Sequence, residues 1–527
     1  DRSPSRGLGD VYKRQVEFRF AHDRILQAAS DLLESDRRKK VRKQVAHILL
    51  DRHRHNLGDI VFAVVNHLNH SSDLINNDDE RLEFIKLNLM AAKKAKTSSA
   101  YALAHEYLSH SYTLIKSEIW ANHRDLMMDF CHEACEVSFL AGKVKDMDRF
   151  GSLVLMKANN LLEQIPIYET QVQSAIAQND MSAAVEQGRE ILAQLGVRVS
   201  KNPGLLKVLL SFAQCWWKLL GVSDQKIIKK AKMKDKQMLA RMHFQYSLSQ
   251  CLFLYLPKQV PLSICDTVLM TLKHGTSPTS ALAFSSYGIM VSGIFGAYDK
   301  GYRYGELGIK LYKKLKAKEV EAAILVTFNL YIRPWKDPIR STLAPLIDAY
   351  HSGLETGNIE FAVHGAMGYC YRSFLAGVEL PTVSRDMRSY QQGIHSLGHQ
   401  GNTYILDLYQ QVVSNLEDET TLEPWRIKGD FYDDDDMLVT HRQNKDAAGL
   451  FLTYYLKVFV AYLFDQNELA LEWGRMAQKE FKAGIGTYNG TVFYFYRALS
   501  LLRAIDTDSG NETCLLYTSD AADEEDS

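Results

Sequence analysis

The chain has 527 residues, a formal charge of −1 and 46% apolar residues. That length exceeds one compact core and fits an extended array or several domains, and the near-neutral balance favours neither nucleic acid nor an acidic partner. Sparse glycine and proline, 31 and 11, point to long helices rather than a β fold; seven scattered cysteines make no disulfide framework, so the chain reads as reduced and cytoplasmic.

The two ends stand apart from the rest. Asp10-Val-Tyr-Lys-Arg-Gln15 and Cys514-Leu-Leu-Tyr-Thr-Ser519 can be encoded by DNA strings that are nearly reverse complements of each other. They resemble a translated sequencing adaptor, with Ser5–Gly9 and Asp520–Glu524 fitting its primer flanks. Residues 1–15 and 514–527 are therefore expected to be artefact and the genuine segment to run from Val16 to Thr513. The head carries two net positive charges and the tail five negative ones, so that segment carries +2.

Residues 16–78 open with Phe18 and Phe20 alternating about Arg19, as on a half-buried strand. His22-Asp23 then starts a helix with Ile25, Ala28, Ala29, Leu32 and Leu33 on its apolar positions. A histidine at a strand-to-helix junction can donate to a phosphate oxygen, and a helix N-terminus favours anions. The alternative is a histidine and an N-capping aspartate that only fix the junction.

Residues 79–199 are a first helical-repeat array. Leu82, Ile85, Leu89 and Ala92 share one helix face, and Thr97-Ser98-Ser99 breaks the run. Ala100, Ala104, Tyr107, Leu108, Ser111 and Leu114 mark the next helix; Leu126, Phe130, Ala134 and Val137 mark a third, closed by Gly142. Met147–Leu161, Ile165–Ala177 and Ala183–Leu195 follow. Ser200–Gly204 separates this array from a second block, 200–422.

Within that block, Leu205–Val222 is the best membrane candidate, but Lys207, Gln214 and Lys218 interrupt it. Trp216 and Trp217 would suit a lipid surface. A helix packed against neighbours is the expectation, with no membrane insertion. Residues 423–443, with Asp433–Asp436, are polar and aperiodic and read as a solvated acidic loop; the aspartates lack calcium-loop spacing. Residues 444–513 hold the final helical repeats.

The turns recur. Phe139-Leu-Ala-Gly142 reappears as Phe374-Leu-Ala-Gly377, and related turns end at Asp180, Tyr298, Asn358 and Gln466. Spacings of 37 residues from Gly142 to Asn179, 81 from Gly296 to Gly377 and 89 from Gly377 to Gln466 approach multiples of the tetratricopeptide period, with insertions. The fold class is therefore all-α: tetratricopeptide-like hairpins stacked as an α-superhelix.

No phosphate-binding loop motif occurs, and Gly484-Ile-Gly486 lacks the third glycine of a dinucleotide fingerprint. His105-Glu-Tyr-Leu-Ser-His110 spaces its histidines five apart, which turns them about 140° from each other on a helix. In Cys131-His132-Cys135 the thiols share a face but the histidine does not, so buried inert thiols are expected. No nucleophile–base–orienter set has local support, so the segment reads as non-catalytic, with no metal and no cofactor of its own.

The run Phe18-Arg-Phe-Ala-His-Asp-Arg-Ile-Leu-Gln-Ala-Ala29 resembles the end of the ATPase module in large bacterial multidomain sensor kinases. Glu80–Tyr101, Lys273–Phe284, Gly296–Tyr302, Trp335-Lys-Asp-Pro338 and Phe374–Gly377 are similar to further stretches of that family. Its members join a serine/threonine kinase-like domain, a predicted ATPase, a helical region, a GAF sensor and often a histidine kinase. The resemblance implies that residues 16–78 are a winged-helix remnant of the ATPase module. It also implies that Ala21-His22-Asp23 stands where a Met-His-Asp signature reads the β-phosphate of ADP, with alanine here in place of methionine. His22 and Asp23 are thus the candidate nucleotide-sensing residues, ATP or ADP belonging to the parent protein. The implied partners are a protein or small inducer on the superhelix and the protein's own ATPase and output domains. The alternatives are the sensing arm of an ATPase-coupled transcription activator, or a plain protein-binding scaffold.

Overall fold

Every regular element among the described residues is a helix, and extended pairing is limited to two isolated bridges, Lys232 with Thr276 and Lys428 with Asp433. The computed structural model describes residues 33–53, 56–178, 180–397, 403–418 and 422–507. The all-α class expected from the periodicity therefore holds. Among the described residues no helix is long and apolar enough to cross a membrane.

The chain divides into two compact units, residues 1–96 with 100–141, and residues 97–99 with 142–527. In the first, helix Asp78–Thr97 begins with Asp78, Asp79 and Glu80 and ends with Lys94 and Lys96, charges that complement its dipole. Its start is capped by Asn77, whose Oδ1 accepts from the Glu80 amide at 2.7 Å. Of the face the spacing predicts on it, Ile85, Leu89 and Ala92 are buried and Leu82 is half-buried, with Phe84 buried beside them; Ala104, Tyr107, Leu108 and Ser111 are buried along helix Tyr101–Tyr112, as predicted. Asn69 and Asn88 exchange amide hydrogen bonds, both at 3.1 Å, and join helix Leu57–Asn69 to the Asp78 helix. Lys43 of helix Ser35–Arg52 reaches Glu80 at 2.7 Å. The described part of residues 16–78 thus shares a unit with the first repeats. The winged-helix reading depends on the residues around Phe18–Ala29, which lie outside the described residues, as do both termini.

The second unit is a succession of hairpins. Leu161–Ala177 pairs with Met181–Gln194, Pro278–Phe295 with Tyr298–Leu315, Leu343–Thr356 with Ile359–Leu375, and Ala447–Leu463 with Asn467–Lys479. The helices of these hairpins pack chiefly on their neighbours in sequence, the pattern of a repeat stack, while helix Leu205–Leu219 packs on Val260–His274 and Lys236–Ser247 on Leu161–Ala177. The recurring turns have a shared cause. Gly296, Gly357 and Gly377 all adopt left-handed φ between +61° and +73°, as does Asp465 at +59°, so each helix stops and the chain reverses there; Gly142, at +70°, ends helix Arg124–Leu140 in the same conformation.

Three expectations need correction. Val199 shares a core with Val185, Phe244 and Leu248, so the Ser200–Gly204 break interrupts a helix run, not a core. The acidic loop ends early. Asp433 caps a helix, Asp434–Gln443, whose first turn carries Asp434, Asp435 and Asp436 at the positive end of the dipole. Asp434 is buried, not solvated. Finally, helix Leu205–Leu219 packs by one face only, through Phe212, Cys215 and Leu219, while Trp216 and Trp217 are exposed.

Candidate functional site

Three motifs far apart in the chain meet at one corner. Gly296 turns the chain into helix Tyr298–Leu315, which places Tyr298, Asp299 and Tyr302 toward the segment that follows helix Glu321–Tyr331. Trp335 stacks on Tyr298 with ring centroids 4.7 Å apart, Lys336 pairs with Asp299, and Tyr302 donates to Asp337 at 2.9 Å. Arg333 donates from Nε to the same Asp337 oxygen at 2.9 Å. Burial and the Asp337 carboxylate push the Tyr302 phenol up to about 12, so it stays a donor. Arg340 then donates to the carbonyls of Ala376 at 3.1 Å and Gly377 at 2.9 Å, which fastens the Phe374–Gly377 turn to the same corner.

The Lys273–Phe284 motif is likewise architectural. Gly275 sits at φ +111°, and a Cβ there would stand 2.6 Å from the Ala231 carbonyl. The close approach lets Thr276 donate to Ala231 at 2.9 Å and accept from Met233 at 2.8 Å. Ser277 and Ser280 form a capping box and Pro278 takes the first turn of the next helix.

Next to the corner lies a buried cation. Arg372, 2% exposed, donates from Nη2 to the Leu330 carbonyl at 2.7 Å, in the last turn of helix Glu321–Tyr331. Its guanidinium lies 4.9 Å from the Tyr488 ring and 5.5 Å from the Tyr371 ring. The negative end of a helix dipole and two aromatic faces therefore hold a charge that no carboxylate pairs among the described residues. Nε and Nη1 have no hydrogen-bond partner. This joint ties helices Glu321–Tyr331, Ile359–Leu375 and Tyr488–Thr507 together, and at 2% exposure the guanidinium is a structural tie that no outside ligand reaches. Arg372→Met should lower stability by about 2 kcal/mol, since a charged hydrogen bond and the cation–π contacts are lost together. A thermal melt of the variant checks this.

The 423–446 excursion hides a second polar set. His441 lies 2.9 Å from Asp446 through Nδ1 and 3.1 Å from the Tyr432 hydroxyl through Nε2, and Tyr432 in turn meets Thr453 at 2.8 Å. An acid, a base and two hydroxyls in series have the order of a catalytic relay. His441, Tyr432 and Thr453 are all at most 4% exposed, so no substrate reaches them, and the set fastens the excursion to helix Ala447–Leu463. Burial pushes the Tyr432 phenol up to about 12. The pattern escaped sequence reasoning because Tyr432, His441, Asp446 and Thr453 span an aperiodic stretch.

The carboxylates of Asp433, Asp434 and Asp435 lie within 4.8 Å of one another, a metal-like grouping. Lysines already neutralise it: Lys428 reaches Asp433 at 2.9 Å and Asp435 at 3.4 Å, and Lys457 pairs with the buried Asp434. His105 and His110 join no such grouping among the described residues. Cys131 and Cys135 are buried, and burial pushes the Cys131 thiol up to about 12, an inert state. His22 and Asp23 lie outside the described residues.

No protein-family model matches the chain. The chain is similar to the hybrid signal transduction histidine kinase G of Dictyostelium discoideum, with 21% identity over 443 residues. The match covers 76% of this chain and 13% of that protein, so the chain spans a small part of its relative's length. Among solved structures, a circular tandem repeat protein with a novel repeat topology is aligned over 94% of each chain at 10% identity. Its TM-score of 0.13 is too low to bear on the fold.

Proposed function

We propose that this chain is the regulatory, sensory helical-repeat segment of a multidomain signal-transduction kinase of the cytoplasm. It carries no catalytic site of its own. A protein partner or small inducer binds the stacked hairpins, and binding biases the nucleotide state of an adjacent ATPase module that holds ATP or ADP. The observation that supports this is the coincidence of a hairpin stack with 443 residues of similarity to a hybrid histidine kinase. Such coupling needs a two-state element, and the His22–Asp23 junction is the candidate, because its sequence resembles a β-phosphate sensor.

The test is made in the intact reading frame that contains this segment. His22→Ala is expected to speed ADP release about tenfold and to raise basal output, as loss of one charge-assisted hydrogen bond implies. Unchanged ADP retention together with unchanged output would remove the switching role.

A further inference from the structure

Helix Leu205–Leu219 displays an apolar surface that the fold leaves uncovered. Leu205, Leu206, Leu210 and Trp217 are 60–74% exposed, and Leu209, Trp216 and Leu220 about half exposed. At 100° per residue these seven side chains fill an arc of about 140°, next to the buried face of Phe212, Cys215 and Leu219. Lys207, Gln214 and Lys218 close the far edge of the arc. On the near edge the patch continues onto Phe295, half exposed, whose ring meets Phe212 edge-on at 5.3 Å. The sequence that carries it is predominantly basic. Between Lys201 and Lys236 the chain has nine lysines and two aspartates. Both aspartates are engaged: Asp224 pairs with Arg303, and Asp235 caps helix Lys236–Ser247.

We infer that this helix lies in the headgroup boundary of an anionic lipid bilayer, docking the chain on a membrane without crossing it. The patch is the outward face of a single helix, a convex surface, so it suits a deformable apolar medium better than a peptide. Leucines flanked by paired tryptophans and bordered by Lys207, Gln214 and Lys218 are the make-up of an interfacial helix. A second copy is disfavoured, because a face-to-face contact would set Lys207 and Lys218 of one chain against those of the other, and no carboxylate of the helix compensates them. The lysine-rich segment supplies the attraction that a single short helix needs to stay bound to anionic lipid. The inference is independent of the proposed nucleotide coupling and survives its failure.

The 527-residue chain is floated with phosphatidylcholine vesicles, with and without phosphatidylserine, at low and high salt. The expected result is binding at least about tenfold tighter to the anionic vesicles, weakened by salt, with a blue shift of tryptophan emission. Leu206→Glu with Leu210→Glu should abolish binding, and Lys207→Gln with Lys218→Gln should remove most of the anionic preference. These side chains are exposed, so circular dichroism of each variant should match the parent. No flotation at low salt, or equal affinity for neutral and anionic vesicles, overturns the inference. So does a concentration-dependent dimer that the glutamate variant dissolves, which would give the face to a second copy, or a stoichiometric acidic protein that displaces the vesicles at the same residues.

Discussion

Gly308→Ala is expected to destabilise the chain by about 2–3 kcal/mol, although alanine is the better helix former. Helix Tyr298–Leu315 crosses helix Pro278–Phe295 through glycine and serine: Gly301, Gly305 and Gly308 on one side, Ser285, Gly288 and Ser292 on the other. A Cβ at position 308 would stand 2.1 Å from the Ser285 hydroxyl oxygen and 2.6 Å from the Ala281 carbonyl. The hydroxyl can rotate away, but the carbonyl belongs to a helix backbone, so the two helices must part and lose their packing. Gly474→Ala is the matched control. It is also a buried helical glycine, but its nearest foreign atom would be 3.8 Å from the new methyl, so the same chemical change should stabilise by about 1 kcal/mol. Chemical denaturation of both variants checks the pair; equal signs would show that close helix approach is not what fixes Gly308.

Asp434→Ala is expected to cost about 3–5 kcal/mol, because it strands Lys457 in the interior without its counter-ion. Both side chains are less than a tenth exposed, and Lys457 also lies over the Trp473 ring at 4.2 Å. Lys457→Met combined with Asp434→Leu should recover most of the loss, since packed apolar groups need no desolvation. Burial, reinforced by the Arg426 guanidinium, pulls the Lys457 ammonium down to about 8 from its ordinary 10.5. Between those values the unfolded chain keeps a proton that the folded chain has released, so this group's contribution to stability rises with pH across that window. The double variant should lack that slope. Urea midpoints from pH 8 to 10, compared between parent and double variant, decide the matter; identical slopes would mean that Lys457 does not titrate there.

Much of the architecture is legible in the sequence because its signals are local. Gly296, Gly357 and Gly377 mark reversals that require left-handed φ, and Ala104, Tyr107, Leu108 and Ser111 mark a buried face by spacing alone. What the sequence concealed depends on neighbours distant along the chain. Asp434 sits in a run of four aspartates that has every mark of a solvated stretch, and only Lys457, on another helix, makes its burial tolerable. The Leu205 helix has apolar residues on most of its circumference, a composition that ordinarily means burial all round. Which arc stays open depends on where the partner helices stop. The motifs at Gly296, Trp335 and Phe374 were visible singly, but their meeting was not, because Tyr298–Trp335 and Arg340–Gly377 are contacts between turns.

Those turn contacts have a mechanical side. A single contact between rigid rods leaves them free to pivot, and two leave an axis to swing about; three that are not in line leave neither. Between Tyr298, Asp299 and Tyr302 at the start of one helix and Trp335, Lys336 and Asp337 in the turn that follows another, there are three. That joint therefore has more constraints than a hinge needs, and a hinge in the stack is to be sought at other links.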